Sequence, residues 1–130
     1  MDNEQIRRIL IAAGIDYDSA LRRMMGKESL YYRFLKKFLE DESYSLLQEA
    51  LREKRWEDAF CAAHTLKGLT GNLGLTQLYE AIGVLVEKLR HPAQKDIKDT
   101  DGPEAFLAEL KAVEHAYTAT AAAITETLGE

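Results

Sequence analysis

The stretch "AFCAAHTLKGLTGNLGL", residues 59–75, decides how this chain is read. Its composition is helical, yet it carries Gly68, Gly71 and Gly74 in quick succession. Each glycine inside a helix costs about 1 kcal/mol relative to alanine. At about 100° per residue with His64 at zero, Glu57, Phe60, Cys61, Lys67, Gly68 and Gly71 fall within about 60° of it. Ala62, Leu66, Leu69 and Leu73 lie about 140° or more away. The leucine side is expected to face a core, so His64 points outward. Gly68 lies one turn beyond it and Gly71 two turns, which leaves the imidazole uncovered and open to close approach. Lys67, three residues along, is a helical neighbour. Its ammonium can offset an anion held on the ring as a compact charge. Gly74 lies past the stripe and reads as the helix terminator. On spacing alone a solitary outward histidine is more often just a surface residue; the two glycines and Lys67 on its face raise the functional reading.

Working outward, apolar residues recur at three and four throughout, strand alternation is absent, and there are only two prolines. A helix is expected over 3–13, capped by Asp2 or Asn3 and ended by Gly14, with Ile6, Ile9, Leu10 and Ala13 as its stripe. A short one follows over 17–25, capped by Asp16 and closed by Gly26. Residues 28–53 hold no Pro and no Gly and read as one long helix. Tyr31, Phe34, Leu35 and Phe38 line its first half, and Leu46, Leu47, Ala50 and Leu51 its second. The polar dip at "EDES" allows a break near residue 42. The histidine helix is expected over 56–72. The next, over 76–90, has Thr76 as cap and Leu78, Ile82, Leu85 and Leu89 inside. "HPAQKDIKDTDGP", 91–103, reads as the one long loop. Pro103 suits the first position of a last helix over 103–127, with Phe106, Leu110, Val113 and Tyr117 on one side. Four long helices with short connections predict an all-α, antiparallel four-helix bundle. The two short N-terminal helices flank it, in a single domain over 1–130.

A chain of 130 residues can bury roughly two thirds of its unfolded surface, enough for a core without staples. One cysteine, Cys61, excludes an internal disulfide. No stretch resembles a signal peptide or a membrane span, so the cytoplasm is the expected compartment. The net charge of −5 argues against a nucleic-acid binder, which shows a basic face. The basic run "LREKRW", 51–56, is flanked by acids and reads as solvated helix surface. No G-x-x-x-x-G-K-[ST] loop is present to hold a nucleotide.

The ordered residues Ala63, His64, Leu66, Lys67 and Gly68, followed by Leu73, Gly74 and Leu78, resemble the A-H-x-L-K-G signature of histidine-containing phosphotransfer (HPt) domains. The likeness extends over about 10–127, including the short N-terminal helices and the phenylalanine-rich long helix. It implies that His64 is the phospho-accepting histidine of a multistep two-component phosphorelay. It implies that Lys67 steadies the phosphate and that Gly68 keeps the site open to the partner. Receiver domains of response regulators and a hybrid sensor histidine kinase are the implied partners. The implied role is that of a transfer intermediate without an ATP site. It needs no cofactor of its own, the Mg²⁺ ion being expected on the receiver. Glu57, Phe60, Cys61 and Gly71 are the candidate docking residues around it, and a monomer is expected. Opening on Met and closing after a full final helix, the sequence reads as a free-standing carrier; a trimmed kinase module would look the same.

Three rivals remain. Cys61 and His64 form C-x-x-H, but the other histidines, His91 and His115, offer no second pair for a structural zinc site, which wants four ligands. A Cys–His nucleophilic pair would need an oxyanion site and a pocket. A docking module that keeps the fold without taking phosphate is the serious alternative, against which stand the intact His64, Lys67 and Gly68. His115, Trp56 and the tyrosines read as surface or packing.

Overall fold

A computed structural model describes residues 1–90 and 103–129. The described residues are helical, with no strand among them. Helix α1, Asn3–Ala12, opens with a reciprocal cap: the Gln5 amide donates to the Asp2 carboxylate at 2.8 Å, and the Asp2 amide to the Gln5 side chain at 2.9 Å. Helix α2, Tyr17–Arg23, starts on Asp16, whose carboxylate accepts from the Ser19 amide. Met25 and Gly26, at φ 58° and 73°, then turn the chain into α3, Glu28–Phe38.

The helix expected over 28–53 is two, parted at the polar dip that allowed a break near residue 42. After Phe38 the hydrogen bonds shorten to three-residue spans, Leu39 to Lys36, Glu40 to Lys37 and Asp41 to Phe38. The Asp41 carboxylate then accepts from the Ser43 amide at 2.8 Å and starts α4, Ser43–Arg52. A short acidic side chain offers the backbone an alternative to the helical ladder, and here the chain takes it. The break gives each half its own phase. Tyr31, Leu35 and Phe38 are buried on α3, but Phe34 is exposed under the Arg33 guanidinium. Leu47, Ala50 and Leu51 are buried on α4, but Leu46 faces out.

Helices α5, Trp56–Asn72, and α6, Thr76–Arg90, have the expected bounds. Thr76 is the first residue of α6, and its hydroxyl donates back to the Gly74 carbonyl. The loop expected over 91–103 lies, up to residue 102, outside the described residues. Pro103–Phe106 forms a 3₁₀ turn ahead of α7, Leu107–Leu128.

Helix α5 packs between α4 and α6, α7 lies beside α6, and both α3 and α1 rest on α7. This is the four-helix bundle, with the broken α3–α4 pair as its first member. Leu10, Leu35, Leu47, Leu66, Leu78, Ile82, Leu85, Val113 and Ile124 have no exposed surface beyond 1%. Burying one such side chain is worth about 1.5–3 kcal/mol. Among the described residues, no buried side-chain nitrogen or oxygen lacks a hydrogen-bond partner. The Tyr31 hydroxyl donates to the Leu73 carbonyl at 2.8 Å. The Tyr32 hydroxyl donates to Asn3 and stands 2.6 Å from that of Tyr17. Since Tyr32 has a single proton, Tyr17 is the donor between them. Burial, then this hydrogen bond, pushes the Tyr17 hydroxyl above the usual phenol range. These hydroxyls tie α1, α2 and α3 together at the end of the bundle where α5 stops.

Candidate functional site

Helix α5 turns Ala59, Ala63, Leu66 and Thr70 into the core. Ala62 and Leu69, placed inside by the sequence, are only half-buried. The helix is rolled toward Ala63 and Thr70 because it is covered from two sides, by α4 and by α6, not from one. Thr70 is fully buried, and its hydroxyl donates to the Lys67 carbonyl at 3.1 Å. His64 stays exposed. Among the described residues neither of its ring nitrogens is hydrogen-bonded, so both keep their chemistry for another molecule.

The ring packs beside that of Phe60, one turn back, with centroids 5.8 Å apart. The Arg90 guanidinium, from the end of α6, stands 5.4 Å from the Phe60 centroid. On the other side of His64 lies a groove of about 700 Å³, whose lining includes Lys67, Gly68, Gly71, Tyr79 and, from α2, Arg23. Lys67 is half-buried, and its ammonium stands 5.6 Å from the centre of the Tyr79 ring. Arg90 is paired with Glu87 at 3.0 Å and Arg23 with helix-end carbonyls, so Lys67 is the cation of the groove best placed to meet an anionic group.

The three glycines of the stretch do three different things. A Cβ on Gly68 would meet nothing within 4 Å, so the space is open, as expected. A Cβ on Gly71 would stand 2.9 Å from the Tyr79 ring. The sequence has Gly71 clearing space over His64; it is instead the seat of an aromatic side chain from α6. Gly74 has φ 73° and ends the helix. Of the remaining candidates, Glu57 and Cys61 are exposed and Phe60 is half-buried, all on the His64 side of α5.

Sequence reasoning missed Arg23, Tyr79 and Arg90. Arg23 donates to the Gly71 carbonyl at 2.9 Å and to the Asn72 carbonyl at 3.1 Å. It thereby adds a partner to carbonyls at the helix end, where the intrahelical ladder stops, and places a cation where the helix dipole favours one. Its own guanidinium is steadied by Ser19 at 2.8 Å. Arg23 is 48 residues from Gly71 in sequence, and nothing local announces the contact.

Residues 34–123, more than half of the chain, match the family model described as Hpt domain. The chain belongs to the Hpt domain family. Membership places it in the phosphorelay context, where Hpt domains act as phosphotransfer carriers alongside receiver domains and kinases. The match covers α5 and α6 with His64, Lys67 and Gly68, whereas α1, α2 and Arg23 precede it. No curated protein and no solved structure matches this Hpt chain significantly. Among the described residues no group of three His, Cys, Asp or Glu side chains converges as a metal site. None of the described helices is long and apolar enough to cross a membrane.

Proposed function

We propose that this Hpt domain is a phosphorelay carrier and that His64 is its phospho-acceptor. The observation that supports it most is an exposed imidazole without hydrogen-bond partners, one turn before an open Gly68 and beside Lys67. A lone pair on a ring nitrogen of His64 attacks the phosphorus of an aspartyl phosphate on a receiver domain. The P–O bond breaks, its electrons return to the aspartate as carboxylate, and an N–P bond forms. The reverse exchange hands the group to the aspartate of a second receiver or response regulator. In phosphoryl transfer the protein mostly positions groups and offsets charge; Lys67 serves the second task here. The receiver supplies the aspartate and its Mg²⁺, so this chain needs no cofactor and no ATP site. Phe60, Cys61, Glu57 and the rim around Gly68 form the docking face, and partners include a hybrid sensor kinase. The chain acts as one Hpt-like unit over 1–130, a monomer, in the cytoplasm.

Incubation with a receiver domain carrying labelled aspartyl phosphate tests this. Label is expected on this chain, lost in acid and stable in base. Receivers that bind without transferring label would favour the docking-module alternative.

Gly68→Ala separates fold from docking. With nothing within 4 Å of the added methyl, the helix should gain about 1 kcal/mol, raising the melting temperature by about 3 °C. The same methyl fills the space kept for the partner, and an overpacked contact costs about 1–3 kcal/mol. Transfer should slow roughly tenfold or more. A variant that melts higher and transfers at the wild-type rate would remove Gly68 from the docking face.

A further inference from the structure

Lys67 ends a flexible four-carbon stem, and an ammonium on such a stem samples many positions unless something holds it. Two features of α6 and α5 hold this one, and a third leaves it room. Gly83 leaves room for the stem, since a Cβ there would meet the Lys67 Cε only at ordinary contact, 3.7 Å. One turn earlier on α6, Tyr79 presents its ring to the Lys67 ammonium at 5.6 Å from the centroid. That ring is set by Gly71, where even a methyl would stand 2.9 Å from it. A cation within about 6 Å of a ring centre is attracted by the ring's quadrupole. Tyr79 itself is 38% exposed, so its place on the surface is not explained by core packing.

We propose that Tyr79 is a positioning residue of the transfer site: seated on Gly71, its ring holds the Lys67 ammonium in the groove shared with His64. This deepens the carrier reading and rests on it. The contact is weak enough to be exchanged. When a phosphoryl group reaches His64, the ammonium trades the ring for charge-assisted bonds to phosphate oxygens, which are stronger. Lys67 starts from a defined place rather than from a disordered ensemble, which lowers the entropy lost on engaging the phosphate. The three parts depend on one another. A side chain at Gly71 displaces the ring, a larger one at Gly83 meets the stem, and loss of the ring frees the ammonium.

Two measurements on the whole chain test the proposal. Proton NMR reads the Lys67 ε-methylene, which a nearby ring face shifts upfield; the shift should be present in wild type and Tyr79→Phe and vanish in Tyr79→Leu. Transfer from a labelled receiver should be unchanged in Tyr79→Phe and slow roughly two- to fivefold in Tyr79→Leu, the size expected when one long side chain must be ordered during the reaction instead of before it. Because the residue acts through Lys67, adding Tyr79→Leu to Lys67→Ala should slow transfer no further. A second slowing of the same size in the Lys67→Ala background would overturn the proposal, making Tyr79 a direct partner contact. An ε-methylene without the upfield shift, in a wild-type chain that takes label, would overturn it alone. No label on wild type with the shift intact would overturn the carrier reading and this use of Tyr79 with it.

Discussion

His64→Gln takes no label from a phosphorylated receiver domain and unfolds at the wild-type temperature. The two halves of that result have separate causes. The glutamine amide nitrogen has its lone pair delocalised into the carbonyl and cannot displace a carboxylate from phosphorus, so the loss should be complete within detection. Stability should change by no more than about 0.5 kcal/mol, as for surface positions without special contacts. His64 is exposed and, beside its ring contact with Phe60, makes no hydrogen bond or ion pair among the described residues. Acid and base treatment adds a chemical signature. The phosphorus–nitrogen bond of a phosphoimidazole breaks once the other ring nitrogen is protonated and survives base, unlike an acyl phosphate, which fails in both. Label persisting in the variant would move the acceptor elsewhere, with Cys61 and His115, both exposed, as the groups to replace next.

The second large effect is on stability. Gly74→Ala should lower the melting temperature by about 10 °C or more, read by circular dichroism. At φ 73° a side chain costs about 1–2 kcal/mol from its own geometry. The methyl would also stand 2.5 Å from the Asp16 carbonyl oxygen. That oxygen belongs to backbone and cannot rotate away. Its residue is anchored by a 2.7 Å hydrogen bond from the Asp16 amide to the Gly74 carbonyl. Relieving the overlap means breaking the contact between the start of α2 and the turn from α5 to α6, for a total of about 3–4 kcal/mol. Gly26→Ala is the control: φ is also 73°, but nothing lies within 4 Å, so only the conformational cost remains. Equal melting of the two variants would mean that the Asp16–Gly74 contact yields without cost.

What could be read in advance depended on how local the physics was. The bounds of α5 and α6 followed from apolar period and from the Leu73–Leu75 turn around Gly74, all within a few residues. The break between α3 and α4 was legible only as an option, allowed by the polar dip at residues 40–43; what decides it is one side-chain bond from Asp41 to the Ser43 amide, which apolar periodicity does not register. The outward direction of His64 was legible, since it needed only the opposing leucines. The roll of α5 toward Ala63 and Thr70 was not, since it depends on having neighbours on two sides. Lys67 and Gly68 lie within four residues of His64 and were found with it. Tyr79, Arg23 and Arg90 come from other helices, and Gly71 could be interpreted only once Tyr79 was seen resting on it. A glycine vacated for a partner protein and one vacated for a neighbouring ring look the same in one dimension.

Arg23 has a consequence for where this protein can be cut. The segment by which the family is recognised begins at residue 34, yet the carbonyls of Gly71 and Asn72 are gripped from α2, and the Gly74 carbonyl is held by Asp16. A fragment trimmed to the recognisable segment keeps His64, Lys67 and Gly68 and loses the clasp on the end of the helix that carries them. The minimal transferable unit is therefore longer than the diagnostic one. Grafts and fusions should take their N-terminal boundary ahead of α1, so that the reactive helix leaves with its own latch.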